Sequence, residues 1–325
     1  MLKRTLISSL LILVVVTSFL SSSLVHAFRN ITTTITLTPE ETPSLYPPVL
    51  TVPTRRGTVV KDLVYCVNQV PVTMDLYFPT SGQAPWPAVL YVHGGGWVSG
   101  DKSGPHANED IQALQAAGYI VAAVDYRLAP RYAFPAMIVD VKCAVRFLRA
   151  HAAEFRLDSA HIGAWGTSAG GHIVSLLGLA HESAGWDTGQ YLEQSSDIQA
   201  VVDMFGPTDL LHTYNDAETA QRNFILFGGI EPTRNMLASA SPVTYVSPGD
   251  PPFLIIHGEK DTTINPQQSI LLYKRLLSFN IPANLILVAN AGHELVPVGG
   301  DINPSREQIM KSMIAFFDTY LKVTP

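Results

Sequence analysis

Only two of the 325 residues are cysteine, Cys66 and Cys143. Two thiols build neither a disulfide framework nor a zinc site, and no His-Glu-x-x-His run is present. The sequence therefore calls for no metal and no other cofactor. Charge is also scarce: 15% of the residues are Asp, Glu, Lys or Arg, and the net charge is −6. Lys and Arg are scattered rather than clustered. Without a basic excess nothing meets a phosphate backbone, which argues against a nucleic-acid partner. Long charged tracts of the disordered kind are missing. The apolar run near the N-terminus, residues 6–20, falls short of the ~20 residues that span a bilayer.

That run nevertheless has a reading. Lys3 and Arg4 precede it, and small and polar residues follow it, ending in Val25-His26-Ala27. A positive start, an apolar middle and small residues three and one before a cut make a secretory signal. Residues 1–27 are expected to be removed after Ala27, leaving a secreted or periplasmic chain without stable membrane insertion. Residues 28–57 are rich in Thr and Pro and lack periodicity, so they read as a linker or arm. Asn30-Ile31-Thr32 is an N-glycosylation sequon of use only in a eukaryotic host. Secretion permits a disulfide, but sequence cannot bring two Cα atoms within bridging distance. Cys143 falls in an amphipathic stretch, where it reads as a buried free thiol. Oligomeric state is not legible.

From residue 58 the pattern becomes regular. Strands are expected over 59–65, 72–78, 88–92, 120–124, 162–165, 198–205, 253–256 and 285–288. Helical spacing appears over 107–117, 137–153, 170–180, 266–278 and 305–321. Strands alternating with helices, the inner ones continuously apolar, predict a mostly parallel central sheet flanked by helices. Residues 58–325 are read as one catalytic domain. The long stretch 208–246 interrupts the alternation and is read as a cap insertion. In such sheets the reactive groups gather beyond the carboxyl ends of the strands, so the polar residues at those ends are the candidates.

The strongest is Gly166-Thr167-Ser168-Ala169-Gly170-Gly171, between a strand and a helix. A sharp turn of this composition lifts a serine above the sheet as a nucleophile. The second is His93-Gly94-Gly95-Gly96-Trp97 after the strand over 88–92. Its glycines let amides point into the site, and the N–H groups of Gly94, Gly95 and Ala169 are the expected oxyanion donors. A serine also needs a base and an orienting acid. Of the histidines after Ser168, only His293 follows the last strand closely and leaves room for an acid before it. His257 closes a strand and is expected to be structural. Asp261, just past the strand over 253–256, is the expected acid, with Asp209 the runner-up and Glu259 third. Asp125 and Arg127 are expected to pair with each other. Trp97 is expected at the substrate, as a wall or stacking face.

With these residues in place, the chain resembles the hormone-sensitive-lipase-like and acetyl-esterase-like group of the α/β-hydrolase fold. The resemblance runs from about residue 58 to the end. It rests on His93-Gly94-Gly95-Gly96-Trp97, Tyr126-Arg127-Leu128-Ala129-Pro130, the turn at Ser168, His257-Gly258 with Asp261, and Gly292-His293. Thr167 stands where the lipase branch usually has Asp, which turns the resemblance toward secreted xylan-acetyl and feruloyl esterases. It implies a serine hydrolase that cleaves short-chain carboxylic esters through Ser168, Asp261 and His293. The substrate would be a small-molecule or polysaccharide ester. The alternatives are an amide hydrolase on the same triad, such as an arylformamidase or peptidase, and a non-catalytic ligand-binding homologue.

Overall fold

The computed structural model describes residues 55–104, 107–212 and 217–322. The expected signal segment 1–27, nearly all of the arm 28–57 and the sequon at Asn30 lie outside the described residues. Among the described residues, no helix is long and apolar enough to cross a membrane.

Among the described residues, eight strands form one sheet. β1 (Val59–Asn68) and β2 (Val70–Tyr77) pair antiparallel, and β2 pairs antiparallel with β4 (Ile120–Val124). The rest is parallel: β3 (Trp86–Val92), β4, β5 (Leu157–Thr167), β6 (Ala200–Met204), β7 (Phe253–Gly258) and β8 (Ala283–Val288). Their order is β1-β2-β4-β3-β5-β6-β7-β8. Parallel neighbours need crossovers, and helices supply them. α1 (Ala107–Ala116) joins β3 to β4. α2 (Ala136–Ala150) and α3 (Ala152–Phe155) lead to β5, and α4 (Ala169–Leu179) leads to β6. α5 (Ala217–Leu226) and α6 (Arg234–Ser239) precede β7, α7 (Gln267–Ser278) precedes β8, and α8 (Arg306–Leu321) closes the chain.

Side chains alternate along the strands, so each strand feeds two cores. Val89, Val121, Trp165, Val202 and Ile256 meet Ile111 and Leu114 of α1 and Met313 and Phe317 of α8. Leu90, Ala122, Ala164, Val201 and Ile255 meet Val141 of α2, Ile173 of α4 and Leu272 of α7. Burial on both faces explains why the inner strands read as unbroken apolar runs. α8 starts where its sequence directs: Ser305 accepts from the Gln308 amide, and the Gln308 side chain accepts from the Ser305 amide.

Two expectations fail. Cys143 is not a free thiol: it is bonded to Cys66, 77 residues away, with the Cα atoms 6.3 Å apart. The pairing of β1 with β2, and the packing of α2 against β1, bring the two together. Asp125 and Arg127 do not pair with each other. Arg127 turns to the fully buried Asp140 of α2, Nε to Oδ2 2.8 Å, and Asp125 takes Lys102 at 2.9 Å. A buried carboxylate needs a cation that loses little on desolvation, and a guanidinium, more weakly hydrated than an ammonium, meets that need.

Candidate active site

Ser168 stands between the last residue of β5 and the first of α4, with φ 53° and ψ −117°. A non-glycine residue with positive φ is uncommon, and this conformation costs about 1–3 kcal/mol. The surroundings enforce it. The Ser168 amide donates to the Met204 carbonyl at 2.9 Å, and its carbonyl accepts from the His172 amide at 3.0 Å. The flanking glycines are there because backbones nearly touch. A Cβ on Gly166 would lie 2.4 Å from the Gly170 carbonyl, and one on Gly170 would lie 2.0 Å from the Val92 oxygen.

The loop after β8 carries His293 over this turn. Its Nε2 lies 3.0 Å from Ser168 Oγ, and its Nδ1 lies 2.7 Å from Asp261 Oδ2. Asp261 follows β7 and is buried, and its Oδ1 accepts from the amides of Thr263 and Ile264 at 2.8 and 2.9 Å. Burial opposes its ionisation, but the hydrogen bonds from His257, His293 and Ile264 prevail and hold the carboxyl well below the ordinary range. An ionised Asp261 accepts the Nδ1 proton, which leaves the Nε2 lone pair facing the serine hydroxyl. Asp209 is elsewhere, bonded to the amides of Leu211 and His212 and to the His212 ring.

The glycine loop lies on the other side of Ser168. Carbonyls turn back into it: Gly95 accepts from the amides of Val98 and Ser99, and Gly94 from His93 Nδ1. In the described loops, turns and caps, no hydrogen bond uses the N–H of Gly94, Gly95 or Ala169. The Tyr126–Ala129 segment clamps the loop. The Tyr126 hydroxyl donates to the His93 carbonyl at 2.9 Å, and the Ala129 amide to the Trp97 carbonyl. Lys102 ties the far end to Asp62 and Asp125.

Trp97 is 3% exposed, and its indole N–H donates to His172 Nδ1 at 3.1 Å. His172 Nε2 donates in turn to the Ala240 carbonyl at 2.7 Å. Burial lowers the His172 pKa to about 4, so the ring stays neutral as this bridge requires. Trp97 still forms part of a cavity of about 330 Å³, with Leu210, Arg222, Asn223, Asp261 and Gln268. A second cavity of about 190 Å³ contains Ser168, Gly94, Gly95, Tyr91, Phe205 and Glu294. Two side chains of the site carry no sequence motif. Phe205, at φ 48°, sets its ring edge-on against both His293 (5.1 Å) and His257 (6.5 Å). Arg222 of α5 donates to the Thr263 carbonyl at the cavity rim. A strand-end position was the only available signal for Phe205. Among the described residues, no cluster of three His, Cys, Asp or Glu side chains is placed to hold a metal ion.

A mostly parallel sheet, a serine on a strained strand-to-helix turn after β5 and an acid and a histidine after β7 and β8 define the α/β-hydrolase fold. The chain belongs to the BD-FAE family, whose model matches residues 74–276. The match takes in the glycine loop, Ser168 and Asp261 and ends before His293. The chain is 32% identical to esterase LipC of Mycobacterium tuberculosis over 200 residues, 59% of this chain and 48% of that one. It is 28% identical to the probable isoprenylcysteine alpha-carbonyl methylesterase ICMEL1 of Arabidopsis thaliana, over 73% of this chain and 52% of that one. It thus spans about half the length of these relatives. Among solved structures it is similar to one described as a truncated form of carbohydrate esterase from gut microbiota. The TM-score is 0.72 at 26% identity, over 82% of this chain and 98% of that one.

Proposed function

We propose that this chain is a serine hydrolase that cleaves carboxylic esters of short acyl chain. The observation that carries the reading is the row Asp261–His293–Ser168, at 2.7 and 3.0 Å, with the serine on a strained turn facing the glycine loop. His293 takes the hydroxyl proton as Ser168 Oγ attacks the ester carbonyl. The amides of Gly94, Gly95 and Ala169 meet the oxyanion. His293 then protonates the departing alcohol, and water, activated by the same ring, releases the acid from the acyl-enzyme. Asp261 holds the imidazole tautomer throughout.

Short acyl groups fit the size of the site. The cavity that contains Ser168 is about 190 Å³, below the ~300–1,000 Å³ common for drug-sized ligands, and the one beside Trp97 and Asp261, about 330 Å³, is near its lower end. The polar groups of the larger one, Arg222, Asn223, Thr262 and Gln268, suit a hydroxylated alcohol. Together with the likeness to a carbohydrate esterase, they support acetylated plant polysaccharide as the substrate. We also propose export, with residues 1–27 as the signal. A disulfide between Cys66 and Cys143 accords with an oxidising compartment.

The test is hydrolysis of p-nitrophenyl esters from acetate to decanoate, with acetylated xylan in parallel. The reading expects the highest kcat/KM on acetate to butyrate and a clear fall by octanoate. Rates that rise to decanoate and jump at a lipid interface would identify a lipase instead. Selectivity for short chains without release of acetate from xylan would remove the polysaccharide part alone.

A further inference from the structure

The Asp261 carboxylate serves two imidazoles, and only one of them leads to Ser168. His257, the fifth residue of β7, places its Nε2 3.2 Å from Asp261 Oδ2. That oxygen also accepts from His293 Nδ1 at 2.7 Å. The same Nε2 is 2.9 Å from the Ile264 carbonyl. A carboxylate and a carbonyl only accept, so Nε2 carries the proton; its hydrogen bond goes to the Ile264 carbonyl, and Asp261 Oδ2 lies beside the same N–H as a longer electrostatic contact. Nδ1 is left to accept from the Ser269 hydroxyl at 2.6 Å. His257 and Ser269 are fully buried, and every polar atom of the ring has a partner. Packing alone would have been met by an apolar side chain at this position, without three polar groups to match.

We propose that His257 is a positioning residue, whose Nε2–H holds Asp261 Oδ2 toward His293; this rests on the reading of Ser168, His293 and Asp261 as the reacting row. Two loop amides fix Oδ1; Oδ2 is held by the His293 donor and by the close Nε2–H of His257. With one donor gone, the carboxylate plane tilts and the His293 ring loses its set direction. Phe205 closes the space between the rings, and Asp203 of β6 is the other carboxylate that acts electrostatically on His257. No motif marks this contact, because a histidine that ends a strand looks the same whether it packs or donates.

Two near-isosteric substitutions separate the roles. His257→Gln places an amide near the Nε2 position and retains a donor to Asp261. His257→Asn reaches Ser269 but not Asp261, and His257→Leu replaces it if the Asn variant does not fold. The readouts are kcat and KM on p-nitrophenyl acetate and the low-field proton resonance of His293 Nδ1–H, on samples whose folding is checked by thermal unfolding. We expect His257→Asn to lower kcat about tenfold or more, the loss of roughly one hydrogen bond. KM should stay within about twofold, since uniform binding is untouched. The low-field resonance should weaken. His257→Gln should recover most of kcat and the resonance. Equal losses in Gln and Asn, or a wild-type kcat and resonance in Asn, would overturn the proposal. If the unsubstituted protein hydrolyses no ester, the reading of the site fails instead. The resonance then decides the contact by itself: lost in Asn and kept in Gln supports it, and unchanged in both overturns it.

Discussion

Replacing Asp261 by Asn changes one atom and should remove most of the activity. The carboxylate accepts three hydrogen bonds, from two backbone amides at Oδ1 and from His293 at Oδ2, and the His257 N–H lies 3.2 Å from Oδ2. All four partners are donors. An asparagine has one accepting atom, and the two short amide contacts hold it at the Oδ1 position. Its NH₂ then faces His293 Nδ1. Two donors cannot bond, so the imidazole proton moves to Nε2, where it points at Ser168 Oγ and blocks proton uptake. A wrong tautomer of this kind costs about ten-thousand-fold in kcat, or about 5 kcal/mol of transition-state stabilisation at 1.36 kcal/mol per tenfold. Asp209→Asn keeps an oxygen for the amides of Leu211 and His212 and should leave kcat within a few-fold. Steady-state hydrolysis of p-nitrophenyl acetate, normalised to folded enzyme, measures both variants. A loss below tenfold in Asp261→Asn, or a larger loss in Asp209→Asn, would refute the tautomer argument.

Ser168→Ala should lower kcat about a million-fold and abolish covalent labelling by a fluorophosphonate, and mass spectrometry that finds the label on another serine would end the assignment. Opening the Cys66–Cys143 bridge, by reduction or by paired serine substitution, should destabilise the fold by about 4 kcal/mol, because the bridge closes a loop of 77 residues; urea unfolding with and without reductant reads this directly. His172 titrates at about 4 in the folded protein because burial disfavours its charge, against about 6.5 when unfolded. The folded pKa is depressed, so its contribution is full above about pH 6.5 and is lost as pH falls toward 4, up to about 3 kcal/mol. The pH dependence of unfolding should be shallower across this window in His172→Gln than in the unsubstituted protein, and equal slopes would contradict it.

The elements were legible because their causes are local. A buried parallel strand is a short apolar run, and a glycine is required where Gly170 meets the Val92 carbonyl. Chain order then separated His293 from the other histidines and Asp261 from Asp209, since each had to follow a particular strand. What escaped was partner choice between distant segments. Nothing near Cys143 announces Cys66. Asp125 and Arg127 stand two residues apart and look like a pair, but Arg127 is drawn to α2 by the fully buried carboxylate of Asp140. The contact between His257 and Asp261 depends on the turn between them folding back over β7, and neither residue's neighbours encode that.

The bridge Trp97–His172–Ala240 bears on selectivity. It joins three parts of the site that arise separately in the chain: the glycine loop, the first turn of α4 and the segment after α6. Because His172 lies four residues after Ser168, Trp97, the substrate wall of the proposed reading, is referenced to the same helix that seats Ser168. A flexible wall would move away from a longer substituent and select weakly. A wall fixed by two hydrogen bonds and 97% burial has to exclude it sterically. Each methylene is then worth about 1–3 kcal/mol, so the fall in kcat/KM with length should be stepwise and graded. Loosening the bridge at His172 should flatten that series, while the loss at Asp261 should lower every member by the same factor. That difference in shape separates the residues that set which ester enters from those that set how fast it reacts.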